Sequence, residues 1–222
     1  MEEVLVIAPH MDDEILGVGG TISWHINRGH KVVVCFVCQR AYNHKYVKKY
    51  IDEQKKAAAK AKNILGYHEC ILLNLKDELL DTALQTVIIS LEKVVNKIKP
   101  DVVYLPHRGD NNQDHKTIFQ AAMVVLRNFA APHVKEIYSY EISSSTEQSP
   151  PFAEYAFLPN YFIDISPYLK RKLEALACYV RESRKFPHPR SLEAVQILAK
   201  KRGIQAMLHA AEAFEVIRII RK

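Results

Sequence analysis

The stretch Val4-Leu-Val-Ile-Ala-Pro-His-Met-Asp-Asp-Glu14 decides the fold. An unbroken apolar run of strand length meets an imidazole and three carboxylates, and helical periodicity starts at Glu14. Unbroken apolar strands are buried on both faces, which is the habit of parallel sheets. The same alternation repeats outward along the chain. Strands are predicted at Val4–Pro9, Lys31–Gln39, Cys70–Leu75, Asp101–Pro106, Glu136–Ile142 and Tyr161–Ile165. Helices are predicted between them at Glu14–Asn27, Tyr46–Leu65, Asp81–Ile98 and His115–Phe129, with Arg28-Gly29, Gly66 and Lys99-Pro100 closing the first three. Strands separated by helices imply an α/β fold, a Rossmann-like and mostly parallel sheet covered by helices on both faces. The C-terminal third reads as an extended helical region, Pro167–Glu182, Arg190–Arg202 and Ile204–Glu212, before a β-branched run, Phe214–Ile220, at the sheet edge. No internal repeat or composition break divides the chain, so one domain over residues 1–222 is expected.

Composition agrees with a globular enzyme-sized chain. Its 222 residues are 48% hydrophobic and 25% charged, which excludes a disordered or fibrous chain. A net charge of +6 favours anionic small molecules without requiring nucleic acid, for which no zinc-finger or RNA-binding signature is present. The acidic start, with carboxylates directly after the short apolar run, reads as neither signal peptide nor membrane anchor, and a cytoplasmic protein is expected. Cys35 and Cys38 form a C-x-x-C, but three apart on a strand they should point to opposite faces and act as core residues. Ser143–Asn160 and Arg40–Lys49 resist regular structure; the first has the length of a lid, and the second carries Arg40, Lys45 and Lys48 after strand two.

Two clusters carry the chemistry. The first is His10-Met11-Asp12-Asp13-Glu14; a helix start explains one or two of these acids but not the whole set. The second, His107-Arg-Gly-Asp-Asn-Asn-Gln-Asp-His115, follows strand four. In a sheet of order 3-2-1-4, strands one and four are neighbours and a crevice opens beyond their carboxyl ends, where both clusters fall. Two histidines and one aspartate meeting there make an N/N/O site with an open position, the arrangement of catalytic zinc.

These residues carry a family resemblance. Ala8-Pro-His-Met-Asp-Asp-Glu14 with Leu16-Gly17-x-Gly19-Gly20-Thr21 resembles the opening of the N-acetylglucosaminyl deacetylases, the LmbE-like or PIG-L-like zinc amidohydrolases. Asn112-Gln-Asp-His115, Tyr161-Phe-Ile-Asp-Ile-Ser166, His188-Pro-Arg-Ser-x-Glu193 and Ala211-Glu-Ala-Phe214 are similar to its later motifs, in order. The resemblance implies one Zn2+, or another divalent metal, on His10, Asp13 and His115, Asp12 as general base, and hydrolysis of an acetamido group on an N-acetylglucosamine-type sugar or conjugate, with an amidase acting on another N-acylated conjugate as the alternative. The chain departs from the pattern at Asn112, where many members carry the histidine that holds the oxyanion. His188 is the candidate for that role, Asp114 is expected to orient His115 or a substrate hydroxyl, and Arg40 is expected to face the substrate. His25, His30, His44, His68, His107, His133 and His209 show no partner at ligand spacing. Oligomeric state stays open, a homo-oligomer included. A dinucleotide fold is the rival for Gly17-Val-Gly-Gly20, but two aspartates would face the pyrophosphate and strand two ends without an acid. A non-catalytic sugar- or metal-binding protein is the other rival, and Asp12 argues against it.

Overall fold

The computed structural model describes residues 1–221. Seven strands form one sheet in the order β3-β2-β1-β4-β5-β7-β6. They are β1 (Glu3–Ala8), β2 (Lys31–Gln39), β3 (Glu69–Lys76), β4 (Val102–Pro106), β5 (Glu136–Tyr140), β6 (Tyr161–Asp164) and β7 (Ala211–Ile219). The first five are parallel, and β7 runs antiparallel between β5 and β6. The helices are α1 (Asp13–Asn27), α2 (Lys48–Leu65), α3 (Leu84–Ile98), α4 (Gln113–Val125), α5 (Leu169–Leu176) and α6 (Leu192–Gln205). Among the described residues no helix is long and apolar enough to cross a membrane.

Strand alternation builds two cores. Val4, Val6 and Ala8 of β1 face a core shared with α1, α2, α5 and α6, while Leu5 and Ile7 face a second one under α3 and α4. Helices on both faces therefore leave the central strands with almost no polar side chain until their carboxyl ends. The pairing of β2 with β3 shifts register between Phe36 and Cys38, and Cys35 and Cys38 both join the second core, contrary to the strict alternation expected of them.

Helix α1 is spliced rather than continuous. Its backbone breaks at Val18 (φ −136°, ψ 15°). The freed N–H groups of Gly20 and Thr21 donate to the Glu212 carboxylate at 2.9 and 2.7 Å, and Lys172 Nζ donates to the freed Leu16 carbonyl at 2.9 Å. Lys172 and Glu212 close the splice by pairing at 2.6 Å, both buried. Close packing needs the glycines here: a Cβ on Gly17 would lie 2.1 Å from the Tyr140 ring, and one on Gly20 2.6 Å from Ile165. They serve helix-on-sheet contact rather than a pyrophosphate.

The C-terminal third is less helical than its sequence suggests. Helix α5 stops at Leu176, not Glu182, because Tyr179 and Glu182 turn inward, Tyr179 donating to Glu14 at 2.6 Å. The helix expected at Ile204–Glu212 is absent; α6 ends at Gln205 and β7 starts at Ala211, so that Glu212 reaches α1.

Candidate active site

The first cluster lies where β1 ends and α1 begins, and the second where β4 leads into α4, at the neighbouring carboxyl ends the sheet order provides. Asn112 caps α4, its Oδ1 accepting the Asp114 N–H at 2.9 Å, and the first turn of that helix then carries Asp114 and His115 into the interior. His10, Asp12, Asp13, Asp114 and His115 are all buried.

His10 Nδ1, Asp13 Oδ2 and His115 Nε2 form a nearly regular triangle with sides of 3.1, 3.4 and 3.4 Å. Donors bonded at about 2.0–2.1 Å to one tetrahedral ion stand about 3.3 Å apart. Carboxylates stand behind the outer nitrogens as well. His10 Nε2 lies 3.2 Å from Asp114 Oδ2, and His115 Nδ1 lies 3.1 Å from Asp110 Oδ1. Asp114 therefore stands behind His10, where His115 or a substrate hydroxyl was expected as its partner, and Asp110 stands behind His115. Carboxylates behind metal-binding imidazoles fix ring orientation in this way. Asp110 is anchored in turn by the Ser145 and Thr146 hydroxyls.

The charges depend on one another. Burial acts against a protonated His115, but Asp13 and Asp110 outweigh it and lift the ring to about 10. Burial likewise opposes an ionised Asp13, and the two histidines overcome it and hold its carboxyl well below the usual range. Asp12 differs: burial pushes it up to about 6 against the pull of Arg190 and Arg40. Burial also raises Glu14 to about 8, although it accepts from Tyr179 and from the Asp12 N–H.

Asp12 sits on a strained backbone, with φ 129°. Both of its carboxylate oxygens are buried without an aligned hydrogen bond, as is Asp13 Oδ1. Arg190 Nη1 lies 3.1 Å from Asp12 Oδ2 and equally far from Glu182 Oε2, and Arg40 bridges the same two acids at 4.0 and 3.5 Å. Buried acceptors left open beside a His/Asp/His triangle fit a site built to receive an ion, a water and a substrate.

A cavity of about 360 Å³ opens onto this cluster, lined by His10, Arg40, Asp77, Glu78, Asn112 and Asp114 among others. Two larger cavities, about 520 and 640 Å³, lie along α2 and under the 141–157 segment and touch none of the triangle. Of the expected basic loop only Arg40 reaches the site; Lys45 and Lys48 are exposed, and Lys48 pairs with Asp52. His188 is exposed as well. Its Nδ1 accepts the Arg190 N–H at 3.1 Å, inside its own turn, and among the described residues it makes no hydrogen bond or ion pair with the cluster. The side chain of that motif that reaches Asp12 is Arg190.

Sequence reading missed Asp110, Glu182 and Arg190. Asp110 and Arg190 lie inside the motifs quoted above, but Glu182 carries no local signal. Cys38 was also missed: its thiol comes close enough to His10 and Asp114 to form a second donor group. Burial and the carboxylates of Asp114, Asp77 and Asp13 hold that thiol protonated, which disfavours it as a ligand.

The chain is similar to known proteins. A curated Escherichia coli (strain K12) protein described as an uncharacterized deacetylase, YaiS, is 30% identical over 179 residues, 78% of this chain and 88% of its own. The diacetylchitobiose deacetylase of Thermococcus kodakarensis is 25% identical over 189 residues, 79% of this chain and 68% of its own. The solved N,N'-diacetylchitobiose deacetylase of Pyrococcus horikoshii superposes with a TM-score of 0.77 at 21% identity, over 97% of this chain and 84% of its own. The PIG-L family model, described as GlcNAc-PI de-N-acetylase, matches residues 5–126, which hold both clusters, and the chain belongs to that family of deacetylases.

Proposed function

We propose that this chain is a zinc-dependent hydrolase that removes the acetyl group from an N-acetylglucosamine-type sugar or sugar conjugate. The observation that carries the reading is the His10/Asp13/His115 triangle, whose sides match the donor spacing of one tetrahedral ion. The N/N/O donor set suits zinc and leaves a position open. A zinc ion held there lowers the pKa of water toward about 7 and polarises the amide carbonyl.

The remaining work falls to the chain's own residues. Asp12, adjacent to a ligand yet free of aligned hydrogen bonds, takes the proton from the attacking water and returns it to the departing amine. Arg190 and Arg40 keep Asp12 in place, and Glu182 between them fixes both guanidinium groups. Asn112 lines the cavity with its Oδ1 committed to the helix cap, which leaves its Nδ2 as the donor for the developing oxyanion. Arg40, on the same cavity wall, is placed to meet polar or anionic groups of the substrate. Sugar specificity is supported by the family description and by the relative described as a diacetylchitobiose deacetylase.

The test is a screen of N-acetyl sugars, sugar nucleotides and N-acylated conjugates for released amine with zinc present, repeated with Asp12→Asn. Loss of about 10²-fold or more in rate at unchanged zinc content is expected, the usual scale for removing a general base. Zinc lost in parallel with activity would make Asp12 a ligand instead.

A further inference from the structure

Three residues meet at the other end of the sheet from the candidate active site. Glu2 immediately precedes β1, His25 lies in the last turn of α1, and His30 precedes β2. Their spacing along the chain does not group them. The Nδ1 atoms of His25 and His30 face each other at 2.9 Å, and Glu2 Oε2 lies 3.2 Å from His30 Nδ1. A single Nδ1–H cannot point at both neighbours with good alignment, whereas one cation would take both imidazole lone pairs and the carboxylate.

The surroundings prepare the site for this. His25 Nε2 is held by the buried Tyr104 hydroxyl at 3.0 Å, and with that outer nitrogen as donor Nδ1 presents its lone pair to His30. His25 is enclosed, while His30 and Glu2 keep side-chain exposures of 17% and 38%, so one side remains open to water. The adjacent cation, Arg28, is turned back onto its own helix: its guanidinium stacks 3.7 Å above the Trp24 ring and donates to the Trp24 carbonyl.

We infer that Glu2, His25 and His30 form a second metal site, an N/N/O site for a borderline divalent cation such as zinc, nickel or copper. Bound there, the ion ties the residue that leads into the central strand to the α1–β2 turn. The inference is independent of the proposed deacetylase activity. The six residues of β1 alone separate the two sites by about 20 Å at 3.3 Å per residue.

Trp24 is the chain's one tryptophan, and its ring lies 4.8 Å from that of His25 and 6.4 Å from that of His30. A copper ion at this site should therefore quench nearly all of the native emission. Titration of the protein carrying one equivalent of zinc per chain with Cu2+ should give saturable quenching. His30→Ala and Glu2→Gln, both at partly exposed positions, should weaken the apparent affinity at least tenfold and leave amine release unchanged. His115→Ala should quench like the parent, and zinc added beforehand in excess should delay quenching. Superimposable titrations for the parent and both Glu2 and His30 variants would overturn the assignment, as would quenching abolished by His115→Ala.

Discussion

Arg190 and His188 stand two residues apart in one motif and do different things. Arg190 contacts Asp12, Glu182 and the Ser144 hydroxyl through one planar group; His188 faces solvent and bonds its own turn. Arg190→Ala should lower amine release by about tenfold or more, at least 1.4 kcal/mol in the barrier. Arg190→Lys should recover only part of it, since an ammonium cannot span the three partners as the fork does. His188→Ala should stay within about threefold of the parent, less than 1 kcal/mol on the same scale. A reversed order in steady-state kinetics would return the oxyanion role to His188. The motif was legible in the sequence, but the choice within it was not, because side-chain direction in a turn depends on what the turn packs against.

Two elements are held by buried or half-buried acids whose roles are tertiary. Helix α1 survives its break at Val18 because Glu212 and Lys172 satisfy the backbone groups the break exposes. Removing one member leaves the other charge buried and unpaired, at a cost of about 3–5 kcal/mol. Glu212→Ala should therefore shift the urea midpoint strongly downward, and a midpoint within error of the parent would show that the splice is idle. Glu215 pins the 143–160 segment in a comparable way: it accepts from His107 Nδ1 at 2.9 Å and from the Leu158 N–H at 2.7 Å, while His107 Nε2 reaches the Tyr155 carbonyl. Burial disfavours its charge, but those hydrogen bonds win and lower its pKa below the ordinary 4.5. A carboxyl lowered on folding stabilises above its unfolded pKa, and that stability is lost as pH falls through the folded value. The thermal midpoint of the parent should thus fall more steeply below pH 4.5 than that of Glu215→Gln; parallel curves would contradict this. The strands were legible because β-branched runs such as Lys31–Gln39 have one reading. The overlong α5 and the extra C-terminal helix were misread because Tyr179, Glu182 and Glu212 leave helical periodicity to satisfy groups far away in sequence.

At the scale of the whole molecule, sheet order does most of the functional work. Placing β1 beside β4 brings His10 and Asp13 within 3.4 Å of His115, about a hundred residues later in the chain. This convergence was readable from the alternation of strands and helices plus one topological rule. The meeting of Glu2 with His25 and His30 was not, because no motif links a chain start to a helix end. Deacetylation by this chain depends on the metal that the triangle binds. Amine release from the best N-acetyl sugar substrate, measured after chelation and again after zinc is restored, in the parent and in His115→Ala, decides this dependence. Activity should vanish on chelation and return with zinc in the parent alone. Full activity in the chelated, metal-free parent, or equal recovery in His115→Ala, would show that the triangle is not the catalytic metal site.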